Sequence, residues 1–159
     1  IADFSVVDHV GALADLDARV LRLIGDAEQR FREDPVRMLR AARLKAKLGF
    51  ELAPDLPPAI ETLRPLLAQI PPARLFDEFC KLFLTGHGVA SLEELQALGL
   101  LEVLFPMLHV ADEPCFDVDL FRVCLASTDA RVAADLPVTP GFLLAALSAD
   151  HVAERTVGL

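Results

Sequence analysis

The sequence predicts an all-α fold, a stack of short helices, on three observations. Apolar residues recur at spacings of three and four along most of the 159 residues. Proline and glycine punctuate those runs, and no β-branched alternating run exceeds a few residues. Segments that each carry one apolar stripe bury it by packing on one another in layers.

Taken in order, Phe4–Val7 is the one extended piece expected. Leu13, Leu16, Val20 and Leu23 share a face, which predicts a helix from Ala12 to Ile24 ended by Gly25. The next helix starts at Asp34–Pro35 and ends at Gly49. At 100° per residue, Phe31, Pro35, Met38, Leu39, Ala42 and Ala46 fall on one side. Arg30, Glu33, Asp34, Arg37, Arg40 and Lys47 fall on the other, with small Ala41 among them and Leu44 as the apolar exception. Further helices are expected over Ala59–Ala68, Ala73–Thr85, Ser91–Leu98, Asp117–Ala126 and Thr139–Ala149. Pro71–Pro72, Gly86–Gly88, Pro106 and Pro114 separate them. Leu75, Phe79, Leu82 and Phe83 form a core stripe.

Composition excludes several classes. With 53% hydrophobic residues the chain is not expected to be disordered. Its longest uncharged stretch, Leu136–Ala149, has 14 residues and two prolines, whereas a spanning helix needs about 20 apolar residues, so no membrane anchor is expected. The opening IADFSVVDHV lacks the basic start and apolar run of a secretory signal, and the first residue is not Met, so a fragment or processed product is expected. Cys80, Cys115 and Cys124 form no CxxC, which argues against a disulfide framework or zinc cluster and for a reducing, cytoplasmic setting. His9, His87, His109 and His151 are scattered without metal-ligand spacing.

The net charge of −9 speaks against a generic nucleic-acid binder, but it is an average. Residues 1–17 carry four acids and no base, residues 18–47 carry nine bases against four acids, and residues 48–159 carry six bases against sixteen acids. One basic island sits in an acidic chain.

Within that island, Glu33-Asp34-Pro35-Val36-Arg37 has the most informative spacing. Asp34 and Arg37, three apart, project from one face of a helix. A carboxylate only accepts hydrogen bonds and a guanidinium only donates. Side by side they match the amino donor and ring-nitrogen acceptor of adenine, and similarly of cytosine; guanine and uracil would turn a carbonyl toward the carboxylate. The surrounding arginines suit a triphosphate. Two plainer readings stand beside this one. Asp-Pro is a common helix start, and Asp34–Arg37 could be a surface ion pair worth at most about 1 kcal/mol. Asp8, Gly11 and Asp15 read as a turn leading into the first helix. Asp15-Leu16-Asp17 and Asp117-Val118-Asp119 have paired-metal spacing, but neither follows a Gly-Ser turn or a strand, and acids are favoured at helix starts, so no metal site is expected.

The run Arg30-Phe31-Arg32-Glu33-Asp34-Pro35-Val36-Arg37-Met38-Leu39-Arg40-Ala41 resembles class II tRNA nucleotidyltransferases and bacterial poly(A) polymerases. Asp8–Leu16 resembles their hinge motif D-x-x-G-G-x-x-D-L, with Ala12 in place of the second glycine, and Leu44 stands where that family usually has Phe. Ile70–Glu78, and Thr128–Arg131 with Pro137–Pro140, resemble the poly(A) polymerase branch. The resemblance implies that Asp34 and Arg37 are the protein template for the incoming base, supported by Arg30 and Arg40, which could instead face phosphates. It assigns Asp8, Gly11 and Asp15 to a hinge. Arg74, Glu78 and Lys81 organise the neck or approach RNA, with a plain ion network equally open. It divides the chain into the end of a catalytic head (1–10), a neck with the base-reading helix (11–88) and a helical body (89–159).

The implied activity is transfer of AMP from ATP to RNA 3′ ends, with Mg²⁺ held only by carboxylates of a head domain. A CCA-adding enzyme and a non-catalytic helical RNA-binding or protein-interaction module are the alternatives. Because no Gly-Ser turn with a D-x-D pair occurs in the 159 residues, the chain by itself is expected to incorporate no AMP. Labelled ATP and an RNA primer test this, and measurable incorporation would contradict it.

Overall fold

A computed structural model of the chain describes residues 7–105, 109–110, 113–114 and 117–147, which form a stack of short helices. α1 spans Ala12–Asp17, α2 Ala27–Glu33, α3 Val36–Leu48, α4 Leu56–Leu63, α5 Pro72–Phe83, α6 Gly88–Ala97, α7 Leu101–Leu104 and α8 Val118–Ala133. α9 begins at residue 140 and is described to 147. Strands β1 (Val20–Leu21) and β2 (Glu51–Leu52) pair in parallel; β3 (His109–Val110) and β4 (Glu113–Pro114) pair antiparallel.

Local chemistry sets several of the helix ends. The Asp26 carboxylate accepts from the Gln29 N–H at 2.8 Å to start α2, and Asp117 accepts from the Leu120 N–H at 2.9 Å to start α8. α3 ends at Gly49, whose φ of 63° places it in the left-handed region and turns its N–H onto the Lys45 carbonyl at 2.8 Å. Past α4 the chain tightens at Pro65 into a 3₁₀ turn, Arg64–Gln69.

Three predicted helices differ from what forms. The one expected over Ala59–Ala68 begins at Leu56 and gives way after Leu63 to the 3₁₀ turn, where Pro65 interrupts the α-helical bonding. The helix expected over Ala12–Ile24 stops at Asp17, where Arg19 takes a left-handed φ of 55° and the chain turns into β1. The carbonyls of Arg19 and Leu21 accept from the N–H groups of Glu51 and Ala53, each at 2.9 Å. Pairing with a distant strand outcompetes the local helical pattern, and it leaves Leu13 and Leu16 exposed while Val20 and Leu23 pack on the core. The helix expected to end at Ala126 runs on to Ala133. Its turn-favouring residues have partners compatible with a helix: the Thr128 hydroxyl donates to the Cys124 carbonyl, and Asp129 reaches α6. Helices α2 and α7 were not anticipated. Phe4, Ser5 and Val6 of the expected extended piece lie outside the described residues.

One apolar cluster runs through the stack. Phe31, Met38, Leu39 and Ala42 from α2 and α3 meet Ile60, Leu82, Phe83, Leu92 and Leu95, with Phe121, Leu125 and Leu143 closing the far side. Phe79 packs edge-on against Phe83 and Phe105, with centroids at 5.1 and 6.1 Å, and Phe83 does the same against Phe121 at 5.5 Å. Such pairs contribute about 0.5–1.5 kcal/mol each beyond area burial and tie α5 to α8.

α6 starts without a cap of its own. Asp129 of α8 accepts instead from the N–H groups of Gly88 and Val89, at 2.8 and 3.1 Å. Gly88 permits the close fit, since a Cβ there would lie 3.2 Å from the Phe83 carbonyl and 3.0 Å from Leu125. Replacing Asp129 with Ala strands two donors and is expected to cost about 1–3 kcal/mol. An unchanged urea midpoint would show that the α8–α6 cap is dispensable.

Candidate nucleotide-binding site

Proline at position 35 has no N–H and disfavours a helical residue before it, so α2 closes at Glu33 and α3 reopens at Val36. Asp34 lies in that gap, extended at φ −149° and ψ 94°. It is therefore not on the helix it was expected to share with Arg37, nor its side-chain cap; Pro35 occupies the cap position. The Arg37 N–H still bonds the Asp34 carbonyl at 3.0 Å, which keeps the two residues together.

Their side chains do not pair. Asp34 Oδ2 accepts from Arg74 Nη2 at 2.8 Å, and Asp34 Oδ1 is buried without a partner. Arg37 Nε is also buried without a partner, and among the described residues Arg37 makes no side-chain hydrogen bond or ion pair. One acceptor and one donor, three residues apart in the chain, are thus desolvated and unspent. A buried unpaired polar atom costs about 1–3 kcal/mol, which a ligand presenting the complementary groups would recover.

The remaining predicted residues arrange themselves around this pair. Arg74, Glu78 and Lys81 stand at i, i+4 and i+7 on the α5 face that meets α3. Glu78 is 2% exposed; its Oε1 accepts from Arg40 Nε at 3.3 Å and Lys81 Nζ at 3.0 Å, and its Oε2 is left without a partner. Arg30 is drawn to Glu33 at 2.5 Å. Arg30 thus has a carboxylate of its own, Arg40 shares one with Lys81, and among the described residues Arg37 has none. Sequence reasoning passed over Arg43, which is half-buried with an unpartnered Nε; its place one turn beyond Arg40 was the available signal.

At the N-terminal end the Asp8 carboxylate accepts from three N–H groups, those of Leu13 at 2.9 Å and of Val10 and Ala12 at 3.0 Å. Gly11 is left-handed at φ 77°, and Ala12 begins the helix, a position that needs no second glycine. Asp15 holds Arg22 through two bonds, at 2.9 and 3.1 Å, bracing α1 against the chain just after β1.

Mg²⁺ does not fit the described residues: no group of three Asp, Glu, His or Cys among them could hold a metal ion. Asp15 is committed to Arg22 and Asp117 to the start of α8, so no step of metal chemistry is assigned to either. No helix among the described residues is long and apolar enough to cross a membrane.

Residues 49–112 match the family described as "Probable RNA and SrmB- binding site of polymerase A". Poly(A) polymerase I of Escherichia coli is 44% identical over 150 residues, covering 92% of this chain and 32% of that protein. Poly(A) polymerase I of Haemophilus influenzae is 46% identical over 147 residues. The CCA-adding enzyme of Streptococcus pneumoniae is 45% identical over 95 residues, covering 58% of this chain. Among solved structures, the Bacillus stearothermophilus CCA-adding enzyme in complex with CTP superposes with a TM-score of 0.62 at 29% identity, covering 88% of this chain and 39% of that one. The chain belongs to the superfamily that holds the bacterial poly(A) polymerases and CCA-adding enzymes. The two poly(A) polymerase I relatives match over nine-tenths of the chain, which spans about a third of their length.

The Asp8 cap carries a pH signature. The N–H of Leu13, then those of Val10 and Ala12, hold its carboxyl below the ordinary value of 3.8. A depressed carboxyl contributes stability that is complete above the unfolded-state value and is lost as pH falls through the lower folded-state value. α1 is therefore expected to keep its cap at pH 5 and above and to fray at pH below 3.8. An NMR titration of Asp8 with its midpoint at or above 3.8 would show that its carboxylate does not cap α1.

Proposed function

We propose that this chain is the neck and body of a template-independent RNA nucleotidyltransferase that adds AMP from ATP to RNA 3′ ends. The observation that carries this reading is the 44–46% identity to poly(A) polymerase I over nine-tenths of the chain. The division at residues 10 and 88 belongs to the same proposal. Asp34 and Arg37 read the base: Oδ1 of Asp34 accepts from the adenine amino group, and the Arg37 guanidinium donates to the ring nitrogen beside it. The unspent acceptor and donor at these two residues support that assignment. The bond from Arg74 holds the other carboxylate oxygen, so that Oδ1 is the one left for the base. ATP is the nucleotide substrate, the RNA 3′ end is the acceptor, and Mg²⁺ is to be held by carboxylates outside the described residues. Cytoplasmic mRNA processing is the setting that fits these substrates.

A CCA-adding enzyme is the second reading, favoured by the structural likeness to the CCA-adding enzyme with CTP and by the 95-residue match. Offering the full protein a tRNA without its CCA end alongside a generic RNA separates the two. Ordered addition of C, C and A to the tRNA would exclude polyadenylation as the main activity.

In the full protein, Arg37→Ala is expected to lower the preference in kcat/KM for ATP over GTP by about ten- to a hundredfold, the scale of one well-placed base contact. Unchanged selectivity would return Asp34 and Arg37 to a purely structural role.

A further inference from the structure

Most cations of this acidic chain are neutralised. Among the described residues eight lysines and arginines sit in ion pairs, and Arg64 and Arg131 donate to the carbonyls of Gly99 and Pro137. Among the described residues Arg19, Arg37, Arg43 and Lys47 have no such partner, and three of these four stand on α3. At 100° per residue Arg37, Arg40, Arg43 and Lys47 share about a third of the helix circumference, opposite the buried Met38, Leu39 and Ala42. Arg40 and Lys81 divide the single carboxylate of Glu78, so that contact also remains net positive.

Like charges left close together on one helix repel one another, and a chain of net charge −9 has acids enough to neutralise them. Here the acids are placed elsewhere. Arg43 Nε is buried without an acceptor, so packing holds its guanidinium with a donor unspent. Leu44 and Leu48, 38% and 45% exposed, stand among these cations. From Arg37 to Lys47 the face runs about 15 Å along the axis at 1.5 Å per residue. That is longer than one triphosphate and suited to successive phosphates of a strand, with exposed leucines as apolar footing for riboses and bases.

We propose that the outer face of α3 beyond Arg37, from Arg40 through Arg43 to Lys47, is a track for the phosphodiester backbone of single-stranded RNA. It lies N-terminal to the matched RNA-binding stretch, which begins at residue 49. The proposal rests on the reading that this chain handles RNA, and it adds Arg43 and Lys47 as the residues that grip the strand while Arg37 meets the base.

The test uses the 159-residue chain, whose helices share one core, with a labelled oligoadenylate of about 12 nucleotides followed by anisotropy over a salt series. ATP binding is followed separately by equilibrium dialysis. Arg43→Ala with Lys47→Ala is expected to weaken RNA binding and to make the slope of log K against log salt shallower by about 1.4, at 0.7 per phosphate contact on a single strand, with ATP affinity unchanged. Should loss of half-buried Arg43 unfold the chain, Lys47→Ala alone, at an exposed position, is expected to shift the slope by about 0.7. An unchanged slope in a folded variant overturns the track and leaves the RNA reading standing. A parallel loss of ATP affinity overturns it by assigning the face to the nucleotide triphosphate. No RNA binding by the unaltered chain at low salt overturns both this inference and the reading beneath it.

Discussion

Pro35 is the constraint on which the site depends. By denying the chain one backbone donor and a helical neighbour, it opens a gap between α2 and α3 and leaves Asp34 outside both helices. On a continuous helix, Asp34 and Arg37 would lie within reach of each other and cancel. In the gap, the Asp34 carboxylate meets Arg74 of α5, and both Asp34 and Arg37 keep a buried atom with nothing to bond. The polar chemistry of the site follows from that separation.

The surrounding packing makes the gap durable. α3 is wedged between α5 and α6; Met38, Leu39 and Ala42 are fully buried, and Ala41 lets its neighbours approach. α5 brings the aromatic ladder of Phe79 and Phe83 on one side and Arg74, Glu78 and Lys81 on the other, so one helix contributes both to the core and to the polar network. α6 is held in turn by Asp129 of α8. Charge around Asp34 and Arg37 is thus controlled from parts of the sequence some forty to ninety residues away, through rigid contacts rather than loops. The distribution of acids matters as much as that of bases: Glu33 neutralises Arg30 and Glu78 is divided between Arg40 and Lys81, while among the described residues Arg37, Arg43 and Lys47 remain uncompensated on one face.

Much of this was legible in the residues. The three-and-four spacing located α3, α5 and α6 to within a few residues, because each buries a stripe that repeats over several turns. The basic island and the Asp34–Arg37 spacing singled out the stretch where the unpaired atoms lie. Other features were not legible for physical reasons. Val20 and Leu21 fit a helical face as well as a strand, and only the backbone of Glu51 and Ala53, brought close in three dimensions, decides between them. Ser127, Thr128 and Asp129 look like a helix stop until Asp129 has the N-terminus of α6 to cap.

By itself, then, the sequence determined the helical class, the apolar stripes and the residues able to present a donor and an acceptor. These depend on local backbone geometry and on side-chain type, both readable from neighbours in the chain. Tertiary structure decided which charges are spent. Arg74 rather than Arg37 takes Asp34, Glu78 sinks between Arg40 and Lys81, and Arg43 is left with a buried donor, because an ion pair depends on distance in space and on desolvation, which spacing along a helix does not specify.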